Sequence, residues 1–367
     1  MIKLTKPEFY DRLKNLNPDQ FITGNNFAKK ADFVYSEAVS EKDFEEINKK
    51  NITYSKIQQN IYIYKKKNIQ VKENDIIYCK TDAILELFSK IENFDKLRNL
   101  KLITHQGAIP SIEKKLFSLK PKCISEWYSV NVSIERDNLY PIPLGLGNSF
   151  SDVGLHPIDF LNLYSTKKAE DQVEKIYSNF RSNTNPIRED YLKSIKRNKF
   201  FIHQDSGLSK QEYLNNLLKY KYILSPKGLG IDTHRFWEVL YSGSFPVANN
   251  DYLYKYFRSY YQEFQNIDEL DINNFKNLSH DETLVKLLNI DYWIGLMKKN
   301  NIESKQSASF NNKIETFKKR ENKIKKSYVR FKIIKTKSSI KYKLMFYYRT
   351  FKNFDNNLFN RFWHIDY

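Results

Sequence analysis

The fold is indicated most clearly by the stretch Tyr222-Ile-Leu-Ser-Pro-Lys-Gly-Leu-Gly-Ile-Asp-Thr-His-Arg-Phe-Trp-Glu-Val-Leu-Tyr-Ser-Gly-Ser-Phe-Pro-Val247, which has the pattern strand, glycine loop, helix, turn and strand. The loop Ser225-Pro-Lys-Gly-Leu-Gly230 interrupts a short apolar run. Asp232 and Thr233 both favour a helix N-terminus, and Gly243 suits the position after a helix ends. The stretch therefore predicts one strand–helix–strand unit of a parallel α/β protein.

The glycine loop is a predicted phosphate site. A loop that leads into a helix presents backbone N–H groups and the positive end of the helix dipole. Gly228 and Gly230 would let the backbone approach a phosphate closely, and Lys227 would add a positive charge. The alternative is that the two glycines serve only the geometry of the turn.

Two charged residues of the predicted helix could complete a nucleotide site. Arg235 and Glu238 are three residues apart, so both can lie on one helix face. Arg235 would neutralise the charge of a diphosphate leaving group, because its guanidinium is planar and permanently charged. Glu238 would hold a sugar hydroxyl. The alternative is an exposed ion pair between the two residues, which stabilises a protein little.

The same stretch resembles the donor-binding segment of exostosin-like glycosyltransferases and of glycosyltransferases from bacterial and large-virus surface-glycan loci. The matching positions are Ser225, Pro226, Lys227, Gly228, Gly230, Asp232, Arg235, Glu238, Gly243, Pro246 and Val247. The resemblance implies a GT-B fold and a UDP- or GDP-linked sugar donor, whose ribose hydroxyls Glu238 would bind. The implied nucleotide-binding residues are Ser225, Lys227, Gly228, Gly230, Thr233, Arg235 and Glu238.

A second segment, nearer the N-terminus, resembles the same family. A predicted strand at 100–104 ends in His105, and a run rich in proline and glycine follows at 139–148. The matching positions are Ile103, Thr104, His105, Trp127, Asn131, Val132, Pro141, Pro143, Leu144 and Gly145. Gln106 stands where the family has asparagine. The two segments together cover roughly residues 100 to 250, and the N-terminal hundred residues match by pattern alone.

The remaining patterns predict an α/β fold. The predicted strands are at 33–35, 61–64, 75–79, 173–180 and 200–204, and the predicted helices are at 81–91, 187–195 and 210–220. Strands linked by helices imply parallel pairing. We therefore predict two Rossmann-like domains facing a cleft, as in GT-B proteins. The predicted divisions are an N-terminal acceptor-binding domain at 1–150, a nucleotide-sugar-binding domain at 151–305, and a basic, aromatic, helical C-terminal extension at 306–367.

Two residues at predicted strand ends are candidates for the catalytic base. Ligands of open α/β sheets lie beyond the carboxyl ends of the strands, and His105 and Asp82 both follow such ends. His105 has the pKa range that suits a base acting on an acceptor hydroxyl, or it could equally bond a loop backbone. Asp82 is the rival base. His203 and His234 are interpreted as structural or supporting residues.

No metal site is predicted. The Asp-x-Asp pattern of the manganese-dependent glycosyltransferase fold does not occur in the sequence. The resemblance to GT-B enzymes implies instead that a helix dipole and basic side chains replace the metal. No cofactor is expected, since the nucleotide-sugar is a substrate.

Positive charge is concentrated near the C-terminus. The formal net charge is +18, and residues 313–343 hold 13 lysines and arginines against two acids, Glu315 and Glu321. A basic segment with interspersed aromatic residues favours an anionic membrane surface. The alternatives are an anionic glycan and a solvated helix. No nucleic-acid recognition motif accompanies the charge, so no specific nucleic acid is expected.

The cysteines and the hydropathy pattern predict a cytoplasmic protein. Cys79 and Cys123 lie in apolar, strand-like runs, which favours two buried free thiols in a reducing compartment. The first residues lack the apolar region of a secretory signal, and no run of about 18 apolar residues occurs. Peripheral attachment to the inner face of a membrane is compatible with this location.

These observations predict a glycosyltransferase that moves a sugar from a nucleotide-sugar to a hydroxyl of a surface glycan, such as capsule, O-antigen or lipooligosaccharide. One alternative is a catalytically silent module of the same fold that binds a glycan or a nucleotide. The other is a basic protein associated with nucleic acid. The intact glycine loop with Arg235 and Glu238 favours the enzyme.

Overall fold

The chain forms a mixed α/β structure with parallel sheets. The computed structural model describes residues 2–58, 60–91, 97–107, 111–152, 154–166 and 172–299. The strands are β1 (Lys3–Leu4), β2 (Phe33–Ser40), β3 (Ile52–Gln58), β4 (Ile61–Lys66), β5 (Ile76–Lys80), β6 (Leu100–His105), β7 (Ile124–Ser129), β8 (Leu139–Pro141), β9 (Val173–Ser178), β10 (Phe201–His203), β11 (Tyr220–Leu224), β12 (Phe245–Asn249), β13 (Gln262–Phe264) and β14 (His280–Asp281). The helices are α1 (Lys6–Leu13), α2 (Gly24–Lys30), α3 (Glu41–Glu45), α4 (Ile84–Ile91), α5 (Lys114–Phe117), α6 (Pro157–Thr166), α7 (Ile187–Ile195), α8 (Lys210–Lys219), α9 (His234–Tyr241), α10 (Glu282–Leu287) and α11 (Ile290–Lys299). The predicted basic extension at 306–367 lies outside the described residues.

The first sheet has seven strands in the order β3-β4-β2-β5-β6-β7-β8. β2, β5 and β6 are parallel, as their pattern predicted. β7 and β8, which were not predicted as strands, continue the parallel sheet. β3 and β4 instead form an antiparallel hairpin on β2. The sequence pattern did not reveal β3, because six of its seven residues are exposed and no apolar run marks it.

The second sheet is parallel throughout, in the order β10-β9-β11-β12-β13. β11, α9 and β12 confirm the strand–loop–helix–strand prediction. Gly243 follows the C-cap of α9 with a φ of +67°, a left-handed conformation that glycine adopts without strain. The turn brings β12 into parallel register with β11, where Tyr222 faces Phe245.

The first residues of the chain pack against its second half. β1 pairs antiparallel with β14, so that Lys3 faces Asp281. In α1, the Tyr10 hydroxyl donates to the Ser242 carbonyl at 2.6 Å. The division at residue 150 and the facing cleft stay predictions.

The largest hydrophobic core joins side chains from both large sheets. Tyr78 and Ile103 of the first sheet belong to the same buried cluster as Ile223 of the second. Phe236 and Trp237 of α9 lie in this cluster too, and the Phe236 ring stacks on Tyr254 at 3.9 Å between centroids. Helix α9 is therefore held by the core, which fixes the position of the glycine loop before it. Cys79 and Cys123 are buried free thiols, as predicted.

We expect Gly243→Ala to lower the free energy of unfolding by about 1–2 kcal/mol, because a Cβ makes the left-handed conformation unfavourable. That Cβ would also lie 3.1 Å from side-chain atoms of Lys6 and Tyr10. Gly295→Ala is the matched control. Gly295 lies inside α11, and a Cβ added there would have no other atom within 4 Å, so alanine should add about 0.5–1 kcal/mol. Urea unfolding of the two variants should shift in opposite directions, and shifts of the same sign would contradict this expectation.

Candidate functional site

The loop between β11 and α9 is anchored at its start by internal bonds. The Ser225 amide donates to the Val247 carbonyl at 2.8 Å, and its hydroxyl donates to the Ile223 carbonyl at 3.3 Å. Lys227 Nζ binds Asp251 Oδ1 at 2.8 Å. The Asp251 carboxylate therefore offsets the charge that Lys227 was predicted to offer a phosphate. The structure gives Ser225 and Lys227 structural contacts, and their nucleotide contacts stay predictions.

The two glycines of the loop have different surroundings. The Gly228 amide donates to the Gly230 carbonyl at 3.2 Å, closing a tight turn. A Cβ on Gly230 would lie 2.6 Å from Asn131 Oδ1, so no larger residue fits there. Within the described part of the chain, the amides of Leu229 and Gly230 have no hydrogen-bond partner. Unbonded amides of this kind are what a glycine loop offers to an anion.

Arg188 supports the loop from α7, a contact that no sequence pattern indicated. Its guanidinium donates to the carbonyls of Pro226 at 2.7 Å, Lys227 at 2.6 Å and Arg181 at 3.0 Å. Arg188 is only 7% exposed, and among the described residues no carboxylate pairs with it. Burial, and then the nearby Arg235, lowers the pKa of Arg188 to about 10, so the group stays charged at neutral pH.

Arg235 lies close to Arg188 and, within the described ranges, also lacks an acidic partner. Its guanidinium lies over the Tyr213 ring, 5.1 Å from the centroid, and one terminal nitrogen is 3.5 Å from Asn179 Oδ1. The other terminal nitrogen is buried and has no hydrogen-bond partner among the described residues. A buried, unbonded donor costs about 1–3 kcal/mol. A bound anion would relieve that cost.

Glu238 is buried, not on an exposed helix face. It is 5% exposed, accepts from the Tyr213 hydroxyl at 2.7 Å and accepts from the Leu155 amide at 3.3 Å. In the part of the chain that the structure describes, no ion pair joins it to Arg235. The alternative of an exposed Arg235–Glu238 pair is therefore wrong. The two residues are linked instead through Tyr213, which contacts both, and the ribose contact of Glu238 stays a prediction.

Asp232 joins the loop to the first half of the chain. Its Oδ1 accepts from the Thr233 amide at 2.8 Å and from Trp237 Nε1 at 2.9 Å, and its Oδ2 accepts from the Leu144 amide at 3.1 Å. Burial raises the pKa of Asp232 to about 7, although these donors lower it. The Asp232 amide in turn donates to Asn131 Oδ1 at 2.9 Å.

Thr233 occupies the N-cap position of α9, as the pattern predicted. Its side chain makes no capping hydrogen bond, whereas the Asp232 carboxylate binds its amide. The first turn of α9 is therefore ordered by Asp232. Thr233 is partly exposed, and its nucleotide contact stays a prediction.

The structure favours a structural role for His105. The ring is fully buried, its Nδ1 accepts from the Gln106 amide at 2.8 Å, and its Nε2 lies 3.3 Å from the Pro143 carbonyl. Burial lowers the pKa of His105 to about 3. Because both nitrogens are bonded to backbone, the loop-bonding alternative fits this geometry better than the predicted base does.

Asp82 lies near His105 at the same edge of the first sheet. The Thr81 hydroxyl, one residue before it, donates to the His105 carbonyl at 3.0 Å. Asp82 is partly exposed and pairs with Lys80 at 2.8 Å. A paired carboxylate is a weaker base than an isolated one, and its role as the rival base stays a prediction.

Two residues that sequence reasoning missed shape this site: Arg188 and Asn179. Asn131, which the sequence named only as a position that matches the family segment, binds the Asp232 amide. Arg188 is followed in sequence by Glu189 and Asp190, a local pattern that indicates ordinary surface pairing. Only the tertiary structure turns it toward the glycine loop. In the described residues, no three His, Cys, Asp or Glu side chains come together as metal ligands would. Metal independence stays a prediction.

Comparisons with known proteins do not show a family for this chain. No family model matches the sequence, and no curated protein matches it. Among solved structures, the chain is similar to an α1,3-fucosyltransferase at 12% sequence identity, with 64% of this chain and 68% of that chain covered and a TM-score of 0.31. The exostosin-like resemblance stays a prediction. Across the described residues, no helix has the length and hydrophobicity needed to span a membrane.

We expect Asp232→Asn to lower the free energy of unfolding by about 1–3 kcal/mol. The amide keeps one accepting oxygen but turns an NH₂ group toward a buried donor, which loses its bond. Asp268→Asn is the control, because Asp268 is exposed on a short 3₁₀ turn and should change stability by less than about 0.5 kcal/mol. Chemical denaturation measures both. Equal stability of the two variants would show that the Asp232 bonds do not hold the loop.

Proposed function

We propose that this protein is a glycosyltransferase that moves a sugar from a UDP- or GDP-linked donor to a hydroxyl of a surface glycan. One observation carries the proposal. Arg188 and Arg235 lie close together beside a glycine loop, and neither has a carboxylate partner in the described part of the chain. Two neighbouring cations without acidic partners favour a bound anion, and a diphosphate supplies negative charge and several oxygen acceptors for guanidinium groups.

The arginines would act on the leaving group. When the bond between sugar and diphosphate breaks, negative charge builds on the diphosphate oxygens. Positive groups that are already in place stabilise that charge without reorganisation. Arg235 has a buried nitrogen without a hydrogen-bond partner among the described residues, and Arg188 has five N–H donors, of which three bind carbonyls. Donors therefore remain for the phosphates.

Glu238 and Tyr213 would position the nucleoside. The Tyr213 hydroxyl holds one carboxylate oxygen of Glu238 at 2.7 Å, while its ring lies under Arg235. A fixed carboxylate next to a diphosphate site suits a ribose hydroxyl. The link through Tyr213 would also keep the carboxylate from neutralising Arg235 directly.

The silent binding module remains the competing function, since the same site could bind a nucleotide without turnover. Release of nucleoside diphosphate from a sugar nucleotide distinguishes the two. The surface-glycan acceptor rests on the family resemblance and stays a proposal. The membrane contact and the inner-face location also stay proposals, because the basic C-terminal residues that suggest the membrane contact lie outside the described residues.

We expect Arg235→Ala to weaken nucleoside diphosphate binding by roughly ten-fold or more. Each lost hydrogen bond to a charged group costs about 1.5–3 kcal/mol, and about 1.4 kcal/mol corresponds to a factor of ten in affinity. Thermal shift with UDP, GDP and their sugar conjugates would identify the nucleotide, and calorimetry would give its dissociation constant. Arg235→Lys should fall between the native protein and Arg235→Ala, because lysine keeps the charge and loses the planar fork.

Arg258→Ala is the matched control for this series. Arg258 is exposed on the segment after β12, outside the loop and α9. Its loss should leave nucleotide affinity unchanged and melting temperature nearly so. Native affinity in Arg235→Ala, or an equal loss in both variants, would overturn the donor-site assignment.

We expect the transferase activity to survive EDTA, because Arg188 and Arg235 supply the positive charge that a divalent cation would otherwise provide. The measurement is the release of nucleoside diphosphate before and after chelation, with manganese and magnesium added back. Loss of activity that manganese restores would show that a metal takes part.

A further inference from the structure

His234 is oriented differently from the other histidines of the described chain. It is the first residue of α9, it is partly exposed, and its Nδ1 lies 2.7 Å from the Gly145 carbonyl. A carbonyl oxygen only accepts, so Nδ1 carries the proton in the neutral ring. Nε2 is then the nitrogen with a free electron pair. No other described residue bonds to it.

The other histidines lack this combination. His105 is fully buried with both nitrogens bonded. His280 is buried between the rings of Phe9 and Phe245. His203 bonds Ser178 through Nδ1, and its Nε2 lies 3.6 Å from the Asp205 carboxylate. His156 is partly exposed too, but its Nε2 is bonded to the Ser151 carbonyl. Among the described histidines, a fixed and partly exposed ring with an unbonded Nε2 is found at His234.

His234 lies beside the proposed donor site. It is adjacent in sequence to Arg235, so the two Cα atoms lie about 3.8 Å apart. Its anchor, Gly145, belongs to the loop after β8, in the first half of the chain. His234 therefore lies where a loop of the first sheet meets the start of α9, next to the arginine that would hold the diphosphate.

We propose that His234 is the general base of the glycosyl transfer, an inference that rests on the proposed function. Nε2 accepts the proton of the acceptor hydroxyl while that oxygen bonds to the anomeric carbon. The bond from the anomeric carbon to the diphosphate oxygen breaks, and its electron pair leaves with the diphosphate. The imidazolium then returns its proton to water.

The charged and titratable groups around His234 are compatible with this role. Arg235 follows it, and Asp232 precedes it, with its carboxylate bonded to other groups. His105 is the titratable group of β6 that interacts with it, and a positive charge on His234 lowers the pKa of His105 further after burial has lowered it. His105 is therefore neutral throughout the range in which an imidazole base works.

The test is His234→Asn, because the asparagine amide nitrogen can occupy the place of Nδ1 and still donate to Gly145. The variant keeps the anchor and lacks a base at the position of Nε2. Release of nucleoside diphosphate from UDP- and GDP-sugars, with water as the acceptor hydroxyl, should fall about 10²-fold or more. Nucleotide affinity should stay native.

His156→Gln is the matched control. His156 lies just before α6 and bonds the Ser151 carbonyl through Nε2 at 2.7 Å, and the glutamine amide can replace that donor. It should keep the native rate. If His234→Asn lowers the melting temperature, His234→Ala with added imidazole decides, because an external base should restore the rate.

The outcomes separate the two proposals. A native rate in His234→Asn, or no rescue of His234→Ala by imidazole, would overturn the base assignment while nucleotide binding stands. Native nucleotide affinity in Arg235→Ala would overturn the proposed function itself. A low rate with native affinity in His234→Asn, together with rescue of His234→Ala by imidazole, would support His234.

Discussion

The site depends on one buried carboxylate, that of Asp232. It binds the Leu144 amide from the first half of the chain and, on its own side, the Thr233 amide and the Trp237 indole. The glycine loop, the start of α9 and the loop after β8 are therefore tied together. Burying a carboxylate is unfavourable unless donors surround it. Replacing this carboxylate by an amide should therefore lower the free energy of unfolding, because one of those donors loses its bond. Asn131 strengthens this connection, because its Oδ1 accepts from the Asp232 amide and its side chain fills the space beside Gly230.

The arginines are held by neutral partners, and this gives the site its positive potential. Arg188 is bound by three carbonyls, and Arg235 lies over an aromatic ring. An acidic partner at either position would cancel the charge before a ligand arrived, as Asp251 does for Lys227. The native state therefore keeps two cations in a partly buried place, at a cost in stability. Such conflicts with stability are common at functional sites, where they are retained because the ligand relieves them.

Local sequence patterns predicted the parallel strands, α7, α9 and the role of Gly243 well. Apolar runs and helical spacing indicate which residues are buried, and the pattern of buried residues determines whether these segments form strands or helices. They did not predict β3, whose exposed residues carry no pattern, nor the contacts of Arg188, which depend on how α7 packs against the loop. The roles assigned to His105 and His234 also depended on tertiary surroundings. Both are histidines at element ends, and only their bonding partners show that one is enclosed and the other is available.

The pairing of β1 with β14 has a consequence for the order in which the chain can fold. Lys3 and Leu4 leave the ribosome early, whereas Asp281 and His280 follow only after most of the described chain has been made. At typical rates of about 5–20 residues per second, the wait is on the order of ten seconds or more. During that time the apolar face of α1, including Phe9, has no partner from β14 or α10. The segment that holds β1 and α1 is therefore among the last to reach its native place during synthesis.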